Sequence, residues 1–249
     1  MSETPTTLAE GGSPSIEQGG YWWYRARSEL LRVALEPYVG TPGRLLDVGS
    51  ADGPSVGWLR GRAPHHVCLD LDPRGLNPGD VCGSALQMPF ADGSFDLVAA
   101  FDVVEHCEPE EVVLRELFRV LAPGGRLLIS VPAYQWAWTA HDDWNHHHRR
   151  YTRKRAVAAV RAAGFEIDRA TYAFAGTFPM FTASRLVERW RERRNPPQPL
   201  AAGEVPPLPE VSPRVERLLL RASAFDERML PRRDLPFGSS VLVAATRPA

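Results

Sequence analysis

The chain has 249 residues, 44% of them apolar and 24% charged, with a formal net charge of −1. That length and composition suit one large folded domain, or one domain with an appendage, and exclude a wholly disordered chain. The near-zero charge also excludes a global basic field that would draw the protein to nucleic acid or anionic lipid.

Residues 1–20 are polar and rich in Gly, Ser and Thr. They read as a disordered tail and lack the charged start and apolar stretch of a signal peptide. Residues 21–249 then form a single domain. Cys68, Cys82 and Cys107 are odd in number and form no C-x-x-C pair, which argues against a disulfide scaffold and fits a reducing cytoplasm. No apolar run approaches the roughly 18 residues of a membrane-spanning helix.

The predicted elements alternate. An apolar stripe of Leu30, Leu31, Val33, Ala34 and Leu35 marks a helix over 21–38, stopped by Gly40 and Gly43. Strands are predicted at 44–48, 66–70, 81–85, 95–101, 126–131, 165–173 and 239–246. Helices are predicted at 56–59, 109–121 and 152–163, with Pro123-Gly124-Gly125 and Gly164 as stops. The 178–235 stretch reads as an insertion: a helix over 178–194, a proline-rich coil over 195–213, and a helix opened by Ser212-Pro213. The whole is an α/β fold, a Rossmann-like, seven-stranded, mainly parallel sheet with helices on both faces. The core is 44–173, the insertion is a helical lid between strands six and seven, and 236–249 carries the final strand.

A glycine turn, Asp47-Val48-Gly49-Ser50-Ala51-Asp52-Gly53, follows the first strand. Ligands of open α/β sheets bind beyond the carboxyl ends of the strands, at the switch point. Asp70 ends the next strand 21 positions after Gly49, the offset at which an acid meets a ribose hydroxyl pair. A dinucleotide would bring a pyrophosphate, but the G-x-G-x-x-G spacing is absent and Asp47 and Asp52 would repel it. S-adenosylmethionine brings a sulfonium and an ammonium, for which acidic neighbours are favourable.

Four segments in this order resemble those of class I S-adenosylmethionine-dependent methyltransferases: Leu45 to Gly53, Val67 to Pro73, Ser84 to Asp96, and Arg119 to Gly125. The resemblance spans about 44–173 and 236–246. It implies cofactor contacts at Asp47, Gly49, Ser50, Ala51, Gly53, Asp70, Leu71, Ser84, Ala85, Phe101 and Asp102. Two positions depart from the family pattern. Ala51 stands where a middle glycine is usual, and Ser84 stands where an aspartate often meets the adenine amine.

Five of the seven histidines lie between His106 and His148. Those at His106 and at His141 to His148 follow strands four and five, whose loops are neighbours in this topology. Three readings compete. The stretch is a solvated polar loop; or it is an acceptor pocket, with His106 or His147 as base and His141, Trp144, Arg149, Arg150 and Tyr151 as contacts; or it is a divalent-metal site of Asp102, Glu105, His106 and His147. The last resembles metal-dependent small-RNA 2′-O-methyltransferases. The metal is not favoured over the other two readings. Tyr21 to Tyr24 either packs on the sheet or roofs the cofactor pocket, and 187–194 is either a solvated basic face or a membrane contact.

The expectation is a methyltransferase acting on a small-molecule, glycan or lipid-linked acceptor through oxygen. The alternatives are a metal-dependent RNA 2′-O-methyltransferase and a non-catalytic binder of S-adenosylmethionine or a nucleotide. The sequence leaves the acceptor and the oligomeric state open.

Overall fold

The computed structural model describes residues 19–49, 53, 56–198 and 208–249. Residues 1–18 of the expected tail, 199–207 of the proline-rich coil, and Ser50, Ala51 and Asp52 of the glycine turn lie outside them.

Seven strands form one sheet in the order β3-β2-β1-β4-β5-β7-β6. They are β1 (Arg44–Val48), β2 (His65–Asp70), β3 (Val81–Cys82), β4 (Phe95–Phe101), β5 (Leu121–Pro132), β6 (Glu166–Ala173) and β7 (Ser240–Thr246). Only β7 runs antiparallel to its neighbours, β5 and β6. The first six strands therefore all point their carboxyl ends to one edge, and the order reverses between β1 and β4.

The central strands are apolar on both faces because helices cover both. Leu45, Leu46, Leu97, Val98, Leu127, Leu128 and Val243 are all buried. The long helices are α1 (Trp22–Leu35), α2 (Glu110–Val120), α4 (Arg153–Ala162), α5 (Phe178–Arg194) and α6 (Pro213–Met229). A short α3 (Ala140–Trp144) lies between α2 and α4. In α2 the residues Val113, Leu114, Leu117 and Val120 recur at helical spacing and are buried.

The structure corrects three expectations. The helix expected at 56–59 is a single 3₁₀ turn, Gly57–Leu59. Gly57, Gly61 and Pro64 leave too little uninterrupted chain to repay helix nucleation. Strand β5 begins at Leu121 rather than at 126, because Leu121 already pairs with Phe95 before the register shifts. The glycines read as a helix stop are a kink inside the strand, with Gly124 at φ +77°. Helix α3 has no counterpart among the expected elements. Its start carries a Thr139-x-x-Asp142 capping pattern, in which Thr139 N donates to Asp142 Oδ2 at 3.0 Å.

The 178–235 stretch divides. Helix α6 docks beside α1, where Arg25 meets Glu216 at 3.3 Å. Asp226 accepts hydrogen bonds from Ala175 N and Gly176 N, both at 2.7 Å, and so pins the turn between β6 and α5. Helix α5 runs along the segment after β5 and has no fully buried residue. No helix among the described residues is long and apolar enough to cross a membrane.

Candidate active site

The chain turns sharply at the carboxyl edge of the sheet. Gly49, Asp102, Tyr134 and Phe174 follow β1, β4, β5 and β6 closely, and all have positive φ. Such conformations strain a residue with a side chain and cluster where geometry serves a site. At Gly49 the requirement is also steric, since an added Cβ would lie 2.5 Å from Val103 Cγ2.

Asp47 is buried at the end of β1. Gly49 N donates to Leu69 O at 2.7 Å, which ties the glycine turn to β2. Asp70 ends β2, and its Oδ1 accepts from Asp72 N at 2.9 Å. Beside it Leu71 is 55% exposed, an apolar side chain held at the edge with nothing packed over most of it. Ser84 lies beyond β3, and its hydroxyl oxygen accepts from Leu86 N at 3.2 Å. These residues suit S-adenosylmethionine in their donor set: Gly49 and Gly53, both at positive φ, after β1, a carboxylate at the β2 end, and an exposed apolar side chain next to it.

Asp102 is held on two sides. Arg27 of α1 pairs with its Oδ2 at 2.9 Å, and Ser130 Oγ donates to its Oδ1 at 2.8 Å. The Arg27 guanidinium in turn lies 5.3 Å from the Trp23 ring, and Trp23 stacks on Phe174 at 6.2 Å. The aromatic start of α1 thus reaches the carboxyl edge and helps fix Asp102.

The loops after β4 and β5 meet. His148 N donates to Glu105 O at 2.8 Å, which brings the His106 and His147 rings to 4.6 Å, edge to face. Ligand atoms of Glu105, His106 and His147 lie within 4.8 Å of one another, and Asp102 stands outside this group. The expected spatial cluster is therefore present, with three of the four candidate metal ligands.

Within the cluster the charges are set by burial and by hydrogen bonds. Burial alone would raise the Asp142 carboxyl, but hydrogen bonds from His147 at 2.8 Å and Arg150 at 2.7 Å outweigh it and hold the group below the ordinary carboxylate range. An ionised carboxylate only accepts, so His147 Nδ1 carries a proton toward it and Nε2 is the ring nitrogen left facing other partners. His106 opens to solvent yet has protein on most sides. That desolvation, then the neighbouring His147, lowers its pKa to about 4. His141 is lowered to about 4 by burial and then by Arg185. Both rings are neutral at pH 7. Glu105 is fully buried, and burial followed by the charge of Asp102 raises its carboxyl well above the usual range. Neither of its oxygens has a hydrogen-bond partner among the described residues.

The structure gives the expected acceptor contacts Arg149, Arg150 and Tyr151 a different place. Arg149 pairs with Glu108 and donates to Cys107 O at 2.6 Å. Arg150 pairs with Asp142 and donates to Ala133 O at 3.2 Å. Tyr151 is 1% exposed, with its hydroxyl on Glu110. All three are largely buried, with polar atoms bonded to this chain, and Arg149 also borders a cleft. His141 and Trp144 are half-buried on α3. A cleft of about 570 Å³ opens beyond Arg149, but Glu108, Glu110 and Glu111 line it and neither Asp70 nor His147 does.

Sequence reasoning gave no role to Asp142 or Arg27, and of the ring cluster after β5 it singled out only Trp136, one of three tryptophans among the histidines that would suit an apolar or aromatic acceptor. Tyr134 stacks on Tyr172 at 5.4 Å and on Trp136 at 5.8 Å, with Phe178 at 5.5 Å. For Asp142 the capping pattern was a usable signal. For the other rings, scattered over three elements, there was none.

Residues 46–129 match the family of the methyltransferase domain. The malonyl-[acyl-carrier protein] O-methyltransferase of Methylococcus capsulatus is 33% identical over 160 residues, covering 57% of this chain and 58% of that protein. The demethylmenaquinone methyltransferase of Thermus thermophilus is 35% identical over 119 residues, covering 42% and 53%. The chain thus spans little more than half the length of either relative. Among solved structures, the N-methyltransferase NodS of Bradyrhizobium japonicum in complex with S-adenosyl-L-homocysteine has a TM-score of 0.55 at 13% identity, covering 97% of this chain and 95% of that one. That likeness is one of fold.

Proposed function

The chain carries a class I S-adenosylmethionine-dependent methyltransferase domain, and we propose that it methylates an oxygen of an apolar small molecule or lipid-linked acceptor, with His147 as the base. The observation that carries this reading is the Asp142–His147 pair at 2.8 Å, beside His106, where the exits of β4 and β5 meet.

In this reading the glycines Gly49 and Gly53 let the backbone come close to the cofactor, with Ser50 and Ala51 between them. Asp70 accepts from the ribose hydroxyls, and Leu71, Ser84 and Ala85 flank the adenine. Phe101 and Asp102 border the methionine end, and Asp47 lies buried at the end of β1. When bound, the cofactor supplies an electrophilic methyl on a positively charged sulfur.

The domain's remaining tasks are alignment and proton removal. With cofactor and acceptor bound, His147 Nε2 would take the acceptor's hydroxyl proton. Asp142, held ionised by Arg150, stabilises the imidazolium that forms and keeps the proton of the neutral ring on Nδ1. His106, neutral at pH 7, orients His147 through ring contact. The rings of Tyr134, Trp136 and Phe178 offer an apolar platform on the acceptor side. RNA is disfavoured because Arg149 and Arg150 are committed internally. Helix α5, which holds the segment carrying Trp136 and Thr139, acts as the cover of this side.

A second reading rests on Glu105. A buried carboxyl group with no hydrogen-bond partner among the described residues, next to two imidazoles, would give a donor set suited to a divalent ion that displaces its proton, and the Asp142–His147 contact is the usual outer support of such a ligand. Extracts incubated with enzyme and cofactor, screened by mass spectrometry for gain of one methyl group, test the main reading. With the acceptor known, His147→Ala abolishes turnover and spares cofactor affinity. Chelator leaves the wild type active under the base reading and silences it reversibly under the metal reading. Unchanged turnover in His147→Ala refutes both.

A further inference from the structure

Helix α5 leaves several large apolar side chains in solvent although it lies on a folded domain. Beyond its first turns, where Phe178, Phe181 and Thr182 are half-buried, its half-buried side chains are all polar: Arg185, Glu188, Arg189 and Glu192. Arg185 Nη1 donates to Thr139 Oγ1 at 2.6 Å, Ala140 N donates to Glu192 Oε1 at 2.9 Å, and Arg189 donates to Trp136 O. The outward face is apolar. Met180, Leu186, Val187 and Trp190 are 39%, 55%, 47% and 52% exposed. At about 100° per residue these four and Ala183 share one face of the helix.

The charges follow the same division. Those on the inward face cancel, two arginines against two glutamates. Apart from Glu188, which pairs with Arg185, the exposed charges of α5 are Arg191, Arg193 and Arg194, all positive, in a chain whose net charge is −1. The Arg194 guanidinium lies 3.8 Å from the Trp190 ring. A face of Leu, Val, Met and Trp bordered only by arginine matches the boundary of an anionic bilayer, where apolar side chains enter the acyl region and guanidinium groups meet phosphates. A second copy fits less well, because the same face offers no exposed carboxylate to meet the arginines.

We propose that α5 docks the protein on the surface of an anionic membrane, lying in the interface with Met180, Leu186, Val187 and Trp190 inserted. The docking does not depend on the identity of the methyl acceptor. It would place the segment 135–144, which α5 holds and which carries His141 and Asp142, beside the lipid headgroups.

The test is flotation of the full chain with phosphatidylglycerol-containing vesicles and with pure phosphatidylcholine vesicles. Binding is expected to the anionic vesicles, to weaken with salt, and to fall at least about tenfold on neutral ones. The triple variant Leu186→Ser, Val187→Ser, Trp190→Ser should lose about tenfold or more in binding. The triple variant Arg191→Gln, Arg193→Gln, Arg194→Gln should lose on the order of a hundredfold. Unchanged S-adenosylmethionine affinity and unfolding midpoint show that both variants are folded. No binding to anionic vesicles, or equal binding by wild type and variants, overturns the proposal. So does a dimer in sedimentation that the serine variant abolishes, which assigns the face to a second copy.

Discussion

Replacing Asp142 by Asn keeps the shape of the side chain and removes its charge. The carboxylate receives three donors: His147 Nδ1 and Arg150 Nε on Oδ1, and Thr139 N on Oδ2. An amide has one accepting oxygen. If that oxygen faces His147 and Arg150, the amide nitrogen opposes Thr139 N and the cap of α3 is lost. If it faces Thr139, the nitrogen opposes Arg150 and forces His147 to accept at Nδ1, which places the ring proton on Nε2 and removes the base. Either way the buried Arg150 loses its counter-charge. Breaking a buried ion pair costs about 3–5 kcal/mol. Arg150 keeps Ala133 O, so the lower end applies, about 3 kcal/mol by urea titration, within the stability of about 5–15 kcal/mol of a typical domain. Turnover should fall about 10²–10⁴-fold while S-adenosylmethionine affinity is unchanged. Nitrogen-15 NMR of the imidazoles reads the tautomer without any acceptor: Nδ1–H in the wild type, lost or mixed in Asp142→Asn. A folded Asp142→Asn variant with wild-type turnover and the same His147 tautomer would refute the reasoning.

Three further outcomes are expected. Asp70→Ala should weaken S-adenosylmethionine binding by about 1–3 kcal/mol in calorimetry, because ribose hydroxyls lose their acceptor; equal affinity contradicts the ribose assignment. Gly49→Ala should destabilise the fold through its positive φ and the 2.5 Å approach to Val103 Cγ2, and Val103→Ala should recover the steric part in a double-mutant cycle; additive effects would remove the contact as the cause. His141 stays neutral in the fold down to about pH 4 but takes a proton in the unfolded chain below about 6.5. The unfolded state therefore binds more protons in that window, and stability falls as pH drops through it. His141→Gln should flatten this part of the stability–pH curve.

The strands at 44–48 and 95–101 were legible because each is a short apolar run ended by a turn residue, and burial on both faces needs no other pattern. Gly49 and Asp70 were legible for a related reason: a strand end followed by a glycine, and a carboxylate one strand later, are local features of the chain. The meeting of His106 and His147 followed from strand order alone. The fates of Arg149 and Arg150 were not legible. Their sequence shows two adjacent cations in a loop. Whether such donors face a ligand or this chain's own carbonyls depends on where Cys107, Ala133 and Asp142 lie in space. The same holds for Asp142, whose pairing with His147 across a bent loop requires the left-handed turn at His146. Helix α5 was predicted as a helix with the right bounds, but its periodicity could not say which face points inward. That was decided by the polar groups at Trp136, Thr139 and Ala140. They bind its arginines and glutamates, and they leave its apolar side chains in solvent because hydrogen-bonding groups under a helix must be satisfied first.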